Sequence, residues 1–265
     1  MSAFIEHKRR RLAAFRAALS ERQPLFGCFS ALASPGWVEA LGYSSLDFLV
    51  LDMEHGPSGA ETVENLLRGA DAAGTNAFVR VPAGRPDLVA TVMDSGAAGL
   101  MLPMVERVEQ LDRVRDAMRF APLGRRGVAP NVRAGAYGFM SLPDFYRWGN
   151  EETLLIAQLE TGMAVDNAAA LCSHPVVDVV FIGTNDLSTS LGHFGELDHP
   201  VVVDAVDEII AAAKKAGVPI GSVATTPVAA RAWIEQGVTM VILSSMLGFR
   251  AYDAQVAAVR SATAS

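Results

Sequence analysis

Short apolar runs alternate along the chain with longer segments in which apolar residues recur at helical spacing. Several of the short runs are apolar throughout, which is typical of parallel strands covered on both faces. We therefore predict eight buried strands. They are Phe26 to Leu32, Phe48 to Leu51, Ala77 to Val81, Gly99 to Leu102, Leu154 to Leu159, Val177 to Ile182, Ile220 to Ala224 and Met240 to Leu243.

The longer segments predict the helices that connect these strands. Glycine stands before several strands, as at Gly74 and Gly217, where it can end a helix in the left-handed conformation. The helical segments are Glu61 to Ala73, Pro86 to Ser95, Glu106 to Met118, Val203 to Ala216 and Pro227 to Gln236.

This alternation predicts an α/β fold, a single (β/α)8 TIM barrel over residues 1–265. An open doubly wound sheet is the alternative, but no G-x-G-x-x-G follows the first strand. An amphipathic helix at about residues 3–19 precedes the barrel. The segment from Pro122 to Gly149 interrupts the alternation, and its five aromatic residues predict an ordered excursion over a barrel mouth or into a neighbouring subunit.

Charge and composition narrow the partners. The net charge of −7 disfavours nucleic acid or an anionic membrane as a partner, and no run of 18 apolar residues predicts a membrane span. Cys28 and Cys172 fit buried thiols in a reducing cytosol, and the amino-terminal residues do not resemble a secretory signal, so we expect a cytoplasmic protein. The low charged fraction, 19%, favours an oligomer.

Polar residues stand at the carboxyl ends of four predicted strands, where barrels of this kind have their active sites. They are Asp52, Glu54 and His55 after the second strand, Arg80 in the third, Gln158 and Glu160 at the fifth, and Asn185 and Asp186 after the sixth. Each alone has a structural explanation, such as a helix cap or a structural histidine. Together they predict an active site, because buried charges must be paired or bound to a metal.

The residue types indicate metal-assisted chemistry on a 2-oxo acid. Two carboxylates, Glu160 and Asp186, suit a divalent cation such as Mg²⁺, Mn²⁺ or Co²⁺, which would take the keto oxygen and stabilise an enolate. Arg80 would hold a negative oxygen or carboxylate. His55, oriented by a carboxylate such as Asp52, would move the proton.

The lysines argue against the alternative imine route. The chain has only Lys8, Lys214 and Lys215, and none lies in a predicted strand. Because a Schiff-base aldolase needs a desolvated lysine aimed at the substrate, the metal route is preferred.

Six segments occur in order between residues 51 and 192: LDMEHGP, FVRVP, LMLPMV, GRRGV, AQLET and FIGTNDLSTSLG. Together they resemble the HpcH/HpaI aldolase family, over about Leu25 to Arg250. The resemblance implies a class II aldolase that cleaves a 4-hydroxy-2-oxo acid to pyruvate and an aldehyde, with oxaloacetate decarboxylation as a side activity. It also implies a barrel whose last helix is exchanged between subunits of a trimer or hexamer.

The resemblance further implies a role for individual residues. The metal ligands are Glu160 and Asp186. The pyruvate site consists of Arg80, Gln158 and the turn Gly183, Thr184, Asn185 and Asp186. His55 serves in acid–base catalysis, with Asp52 as its partner, and Asp94 supports it across a subunit contact.

The chain departs from the family pattern in two places. Thr184 stands where proline is common, which changes the stiffness of the turn but not the ligand. Ser244, Ser245 and Met246 stand where many members have Gly-x-Asp, which puts the aldehyde in doubt.

Two other functions fit parts of this pattern. A citrate-forming enzyme or one like macrophomate synthase would use the same enolate site with another electrophile. A barrel that binds a metabolite without catalysis is the alternative from another class, and the intact set of charged residues argues against it.

Overall fold

The computed structural model describes residues 3–243 and 246–263. Eight parallel strands form a closed barrel in chain order, with β1 paired to β8. The strands are β1 (Leu25–Ser30), β2 (Phe48–Asp52), β3 (Asn76–Arg80), β4 (Gly99–Leu102), β5 (Leu154–Leu159), β6 (Val179–Ile182), β7 (Ile220–Ala224) and β8 (Met240–Leu243). The predicted (β/α)8 barrel is confirmed.

Helices surround the barrel and connect its strands. They are α1 (Ala3–Ser20), α2 (Pro35–Gly42), α3 (Ala60–Ala73), α4 (Asp87–Asp94), α5 (Val108–Met118), α6 (Leu142–Arg147), α7 (Gly162–Asp166), α8 (Ala168–Cys172), α9 (Thr184–Ser190), α10 (Pro200–Ala216), α11 (Pro227–Glu235) and α12 (Met246–Thr263). Several begin with a side-chain cap, as at Thr226 before α11, whose hydroxyl accepts the N–H of Ala229.

The continuous apolar strands serve two cores. In β2, Phe48 and Val50 face the barrel interior, whereas Leu49 and Leu51 pack in the layer between the strands and the helices. Successive strand residues point to opposite faces. A strand buried on both sides therefore needs an apolar residue at nearly every position, which is the pattern that made the strands predictable.

Helix α1 covers the amino-terminal end of the barrel. Its buried residues include Leu12, Phe15 and Leu19. The ring of Phe15 lies 5.6 Å from that of Phe48 and 5.2 Å from that of Phe78, measured between centroids. The predicted helix at about residues 3–19 is therefore present, and its apolar face covers the interior core at the amino-terminal end of the barrel.

The excursion between residues 122 and 149 is ordered, as predicted. It contains a 3-10 turn at Arg133–Gly138 and the helix α6, and it runs into a π-helical turn at Trp148–Glu152. Buried Phe145 and Trp148 anchor it in the interior core cluster. Its Arg133 and Ala134 line a cavity together with residues of α1, so the excursion packs at the amino-terminal end of its own chain.

Helix α12 ends the described part of the chain, and its described side chains are exposed. Gly248 and residues 250–263 are all exposed, including the apolar Tyr252, Val256 and Val259. The departure at Ser244, Ser245 and Met246 lies outside the residues whose side chains the structure describes. None of the described helices is long and apolar enough to cross a membrane.

Candidate active site

A buried ion pair joins the carboxyl ends of β2 and β3. Asp52 and Arg80 are register partners in neighbouring strands. Arg80 Nε donates to Asp52 Oδ1 at 2.9 Å, and Arg80 Nη2 donates to Oδ2 at 2.6 Å. Burial acts to raise the pKa of Asp52, but the hydrogen bonds and charge of Arg80 outweigh it and hold that pKa below its ordinary value. The bidentate contact fixes the plane of the guanidinium.

Two other groups complete the surroundings of Arg80. Its guanidinium carbon lies 4.5 Å from the centroid of the Phe29 ring, within the range of a cation–π contact. Its Nη1 lies 3.5 Å from Glu54 Oε2. Arg80 thus presents one fixed edge to the barrel mouth.

The structure places Asp52 beside the backbone of His55 rather than beside its ring. Asp52 Oδ1 accepts the N–H of Glu54 at 3.0 Å and that of His55 at 3.4 Å. Among the described carboxylates, that of Glu54 comes nearest to the imidazole, with Oε2 3.9 Å from His55 Nε2. The His55 side chain is 69% exposed. Asp52 therefore holds the turn and Arg80 in place, and among the described residues no carboxylate lies within hydrogen-bonding distance of the imidazole.

Gln158 and Glu160 meet over the fifth strand end. Both are buried, and Gln158 Nε2 donates to Glu160 Oε2, as expected for residues two apart on one strand face. Glu160 Oε1 accepts the backbone N–H of Met104 at 2.8 Å. Met104 has a positive φ of 53°, a conformation that residues other than glycine rarely adopt. Gln158 Oε1 is buried with no hydrogen-bond partner among the described residues.

Glu160 has a strongly perturbed acidity. Burial raises its pKa to about 7, against the hydrogen bonds from Met104 and Gln158, and the negative charges of Asp186 and Glu54 raise it further. The carboxylates of Asp186 and Glu54 are therefore close enough to repel that of Glu160 at this end of the barrel.

The turn after β6 needs a glycine for steric reasons. A Cβ at Gly183 would lie 2.3 Å from Glu160 Oε2 and 2.8 Å from Glu160 Cβ. The turn leads into α9, whose first turn holds Thr184, Asn185 and Asp186. An acidic residue in the first turn of a helix is favoured by the helix dipole, and here it also brings Asp186 near Glu160.

A cavity of about 750 Å³ opens over these residues. It brings together His55, Arg80, Gln158 and the turn residues Gly183, Thr184, Asn185 and Asp186. Its far wall comes from the loop before α10 and from α10 and α11, including Asp198, Asp207 and Trp233. This wall and the contact made by Met104 were not predicted from the sequence. The wall residues lie in helices and a loop rather than at strand ends, and Met104 has no polar side chain.

Asp94 does not lie at the candidate active site. It ends α4, which runs antiparallel to the strands, so it lies towards the amino-terminal end of the barrel, opposite His55. Its carboxylate accepts a hydrogen bond from Arg126, a buried guanidinium that also packs over Phe120. Within one chain Asp94 therefore does not reach His55.

A second group of possible metal ligands flanks Leu197 and Asp198, which line the cavity. His193, Glu196 and His199 in the loop before α10 place their ligand atoms within 4.8 Å of one another. The two imidazole rings stack with centroids 3.5 Å apart, and His199 Nδ1 accepts the N–H of Val201 at the start of α10. This His–Glu–His cluster was not singled out from the sequence.

A closed barrel with buried carboxylates, an arginine and a histidine around one mouth defines a barrel enzyme. The family model described as HpcH/HpaI aldolase/citrate lyase matches residues 25–249. The chain belongs to this family, as the sequence predicted.

Curated relatives of high similarity are bacterial aldolases. The chain is 37% identical over 244 residues to 5-keto-4-deoxy-D-glucarate aldolase of Salmonella paratyphi A, covering 92% of this chain and 94% of the relative. The aldolase of the same name from Salmonella newport gives the same identity and coverage.

Solved structures extend the comparison to other chemistry. A HpcH/HpaI aldolase/citrate lyase family protein from Burkholderia cenocepacia has a TM-score of 0.88 at 35% identity, covering 93% of this chain and 99% of the other. Citrate synthase SbnG has a TM-score of 0.85 at 26% identity, covering 94% and 98%. Macrophomate synthase has a TM-score of 0.84 at 27% identity, covering 96% and 89%. The prediction of a carbon–carbon lyase is confirmed by the family and by the aldolases this chain resembles.

Proposed function

We propose that this chain is a class II aldolase that cleaves a 4-hydroxy-2-oxo acid to pyruvate and an aldehyde. The observation that carries the proposal is the meeting of Arg80, Gln158 and the 183–186 turn around one cavity, with Glu160 hydrogen-bonded to Gln158. Similarity to 5-keto-4-deoxy-D-glucarate aldolase favours a hydroxylated sugar-acid substrate.

The residues fit a divalent cation between Glu160 and Asp186. Glu160 is a buried carboxylate that accepts hydrogen bonds from two neutral donors, the Met104 N–H and the Gln158 amide. The buried Gln158 Oε1 beside it has no partner among the described residues. The absent side chain of Gly183 leaves the space that a Cβ would fill. When bound, Mg²⁺, Mn²⁺ or Co²⁺ would act as a Lewis acid towards the keto oxygen of the substrate.

The chain's own residues would bind, orient and move a proton. Arg80, whose plane is fixed by Asp52, would bind the negative oxygen of the pyruvate part through Nη1, the nitrogen that faces Glu54. The turn at Gly183–Asp186 would bind the carboxylate from the helix start. His55 would take the proton of the 4-hydroxyl group as the carbon–carbon bond breaks.

The exposed His55 side chain favours completion of the site by a second copy of the chain. We propose that Asp94 of a neighbouring copy orients the His55 ring, since in its own chain it lies at the other end of the barrel. An ion pair between Asp94 and Arg126 would then be shared or exchanged at the contact.

Helix α12 supports an oligomer. Tyr252, Val256 and Val259 follow helical spacing and form an exposed apolar stripe, and a cleft lined by Phe26, Ala230, Ile234 and Leu243 lies between α11 and the β8–β1 seam. We propose that α12 of one copy fills the cleft of another in a trimer or hexamer. Light scattering should give a multimer for the wild type and a smaller species for Val256→Asp.

The deciding experiment is pyruvate release from 5-keto-4-deoxy-D-glucarate, from other 4-hydroxy-2-oxo acids and from oxaloacetate. Release should stop with EDTA and return with Mg²⁺, Mn²⁺ or Co²⁺. Asp186→Asn should abolish the return, whereas His193→Ala, which alters only the His–Glu–His cluster, should retain it. Release that is indifferent to EDTA contradicts the metal proposal.

A citrate-forming or macrophomate-type reaction is the second candidate, favoured by the structural likeness at 26% and 27% identity. It predicts consumption of oxaloacetate with an added electrophile and no cleavage of any 4-hydroxy-2-oxo acid. The higher identity to aldolases, 37%, favours the aldolase reaction.

A further inference from the structure

A second cavity lies at the amino-terminal end of the barrel, between α1 and the excursion at residues 122–149. Its volume is about 260 Å³, and it shares no lining residue with the active-site cavity. Its lining includes Phe4, Lys8, Arg133, Met140 and Trp148. A cavity of roughly 150 Å³ is large enough for benzene. The space is therefore sufficient for a small organic molecule.

Cations outnumber carboxylates beside this cavity. Asp71 Oδ2 lies 2.8 Å from Lys8 Nζ and 2.6 Å from Arg133 Nη2, and Asp71 Oδ1 lies 3.0 Å from Arg11 Nη2. Among the described residues, these three cations form their ion pairs with this one carboxylate. All four side chains are largely buried, with exposed fractions between 7% and 16%. Two positive charges are thus in excess where water screens them poorly.

Burial also lowers the pKa of Lys8, although the charge of Asp71 acts in the opposite direction. A bound anion would relieve this cost. Arg68, which also lines the cavity, donates to the hydroxyl of Tyr137 at 3.1 Å at the exposed rim.

The cavity wall also contains a buried donor without an acceptor. Trp148 is 2% exposed, and its Nε1 has no hydrogen-bond partner among the described residues. Buried indole N–H groups usually find an acceptor. Phe4, Ile5 and Met140 supply an apolar lining beside it.

The loop that closes the cavity has an unusual backbone. Ala136 and Tyr137 follow one another with φ values of 50° and 54°, both left-handed and neither glycine. Such conformations are costly and are concentrated at ligand clamps and switches. Both residues line the cavity.

We propose that this cavity binds a small organic anion, with its carboxylate at Lys8 and Arg133 and its apolar body against Met140 and Trp148. This site is distinct from the active site and does not depend on the proposed reaction. It gives the excursion at residues 122–149 a role that its sequence did not reveal.

Calorimetric titration of the full chain with benzoate and hexanoate, each compared with its neutral amide, tests the proposal. The carboxylates should bind at least tenfold more tightly than the amides. Lys8→Met should weaken carboxylate binding at least tenfold, and Ala134→Leu should abolish it by filling the space. Lys215→Met, which removes an exposed lysine from α10, should leave binding unchanged.

Binding at the active site must be separated from binding here. Arg80→Lys, which alters the other carboxylate site, should leave benzoate binding intact. Equal affinity for acid and amide, no saturable binding of either acid, or full affinity in Ala134→Leu would overturn the proposal. If Lys8→Met fails to fold, the comparison of acid with amide and the Ala134→Leu variant still decide.

Discussion

The two ends of the barrel carry opposite unbalanced charges. At the carboxyl-terminal end, Glu160 is buried near Asp186 and Glu54, and it accepts hydrogen bonds from the neutral Met104 N–H and Gln158 amide. At the amino-terminal end, Asp71 is shared by three cations. Buried charges in folded proteins are usually paired with an opposite charge or bound to a ligand such as a metal ion. The two proposed ligands, a cation at one end and an anion at the other, would each supply the charge that is missing there.

The ionic contacts at the two ends of the barrel also differ in what they hold in place. The ionic contacts at the amino-terminal end tie α1 to α3 and to the excursion at residues 122–149, so they hold elements of the fold together. Those at the carboxyl-terminal end hold side chains in place around a cavity.

The largest expected effect is that of Glu160→Gln on turnover. Metal-dependent activity should fall on the order of 10³–10⁴-fold, because Lewis-acid assistance is worth several kcal/mol. The unfolding free energy without metal should not fall, since the amide removes a buried charge. Steady-state kinetics and Mn²⁺ titration measure this, with exposed Glu109→Gln as the control. Full activity in Glu160→Gln would remove this residue from the metal site.

Asp71→Asn should show the reverse behaviour. It leaves three largely buried cations without a carboxylate, which should cost about 3–5 kcal/mol of unfolding free energy. Turnover well below the melting temperature should change little. Urea denaturation and kinetics on the same preparation test both parts, and exposed Asp87→Asn serves as the matched control. A large loss of turnover at unchanged stability would break the separation of the two ends.

The pKa of Glu160, about 7 against an ordinary 4.5, makes stability depend on pH. Between these values the folded chain holds a proton that the unfolded chain has lost, so metal-free stability falls as pH rises through this window. The contribution is about 3 kcal/mol at 1.4 kcal/mol per pH unit. Denaturation in EDTA at pH 5 and pH 8 should show it in the wild type, and Glu160→Gln should lack it. Identical pH profiles would contradict the assigned shift.

Arg80→Lys keeps the charge but removes the bidentate contact with Asp52. We expect kcat/KM to fall about a hundredfold, because a misplacement of about 1 Å can have that effect. Arg85→Lys makes the same change in an exposed pair and should leave activity unchanged. Similar losses in both variants would mean that the geometry of the Asp52 contact is unimportant.

The smallest effect is expected from Gly183→Ala. The new Cβ would overlap Glu160 Oε2, so Glu160 must shift, at a cost of about 1–3 kcal/mol in stability and with weaker metal binding. Gly36→Ala in α2 meets no atom within 4 Å and should be neutral or slightly stabilising. Thermal denaturation with and without Mn²⁺ distinguishes the two.

The strands were predictable because each is buried on two faces, so that its apolar run is unbroken. Their ends were less certain. The first run was predicted to reach Leu32 but ends at Ser30, where the chain turns towards α2, and the sixth begins at Val179 rather than Val177. The short helices α7, α8 and α9 were not predicted, because five to seven residues are too few to show a helical period.

The candidate site was predictable residue by residue but not contact by contact. Polar groups at strand ends identified Asp52, Arg80, Gln158, Glu160 and Asp186. The pairing of Asp52 with Arg80 depends on the register of β2 against β3, which no local pattern encodes. For the same reason the His55 ring was assigned to Asp52, whereas the structure puts Glu54 nearest to it. The charge excess around Asp71 arises from residues 60 or more positions apart and could not be read from the sequence.

The active-site cavity draws its two walls from different parts of the fold. Arg80 and Gln158 belong to strands of the barrel itself, whereas Asp207 and Trp233 belong to the outer helices α10 and α11. Substitutions on the helices can therefore accumulate without disturbing the barrel's hydrogen bonds or the charged rim. Such independence would let the shape and polarity of one wall change while the barrel and the charged residues at its mouth stay the same. This agrees with the presence of an aldolase, a citrate synthase and macrophomate synthase among proteins of similar structure or sequence.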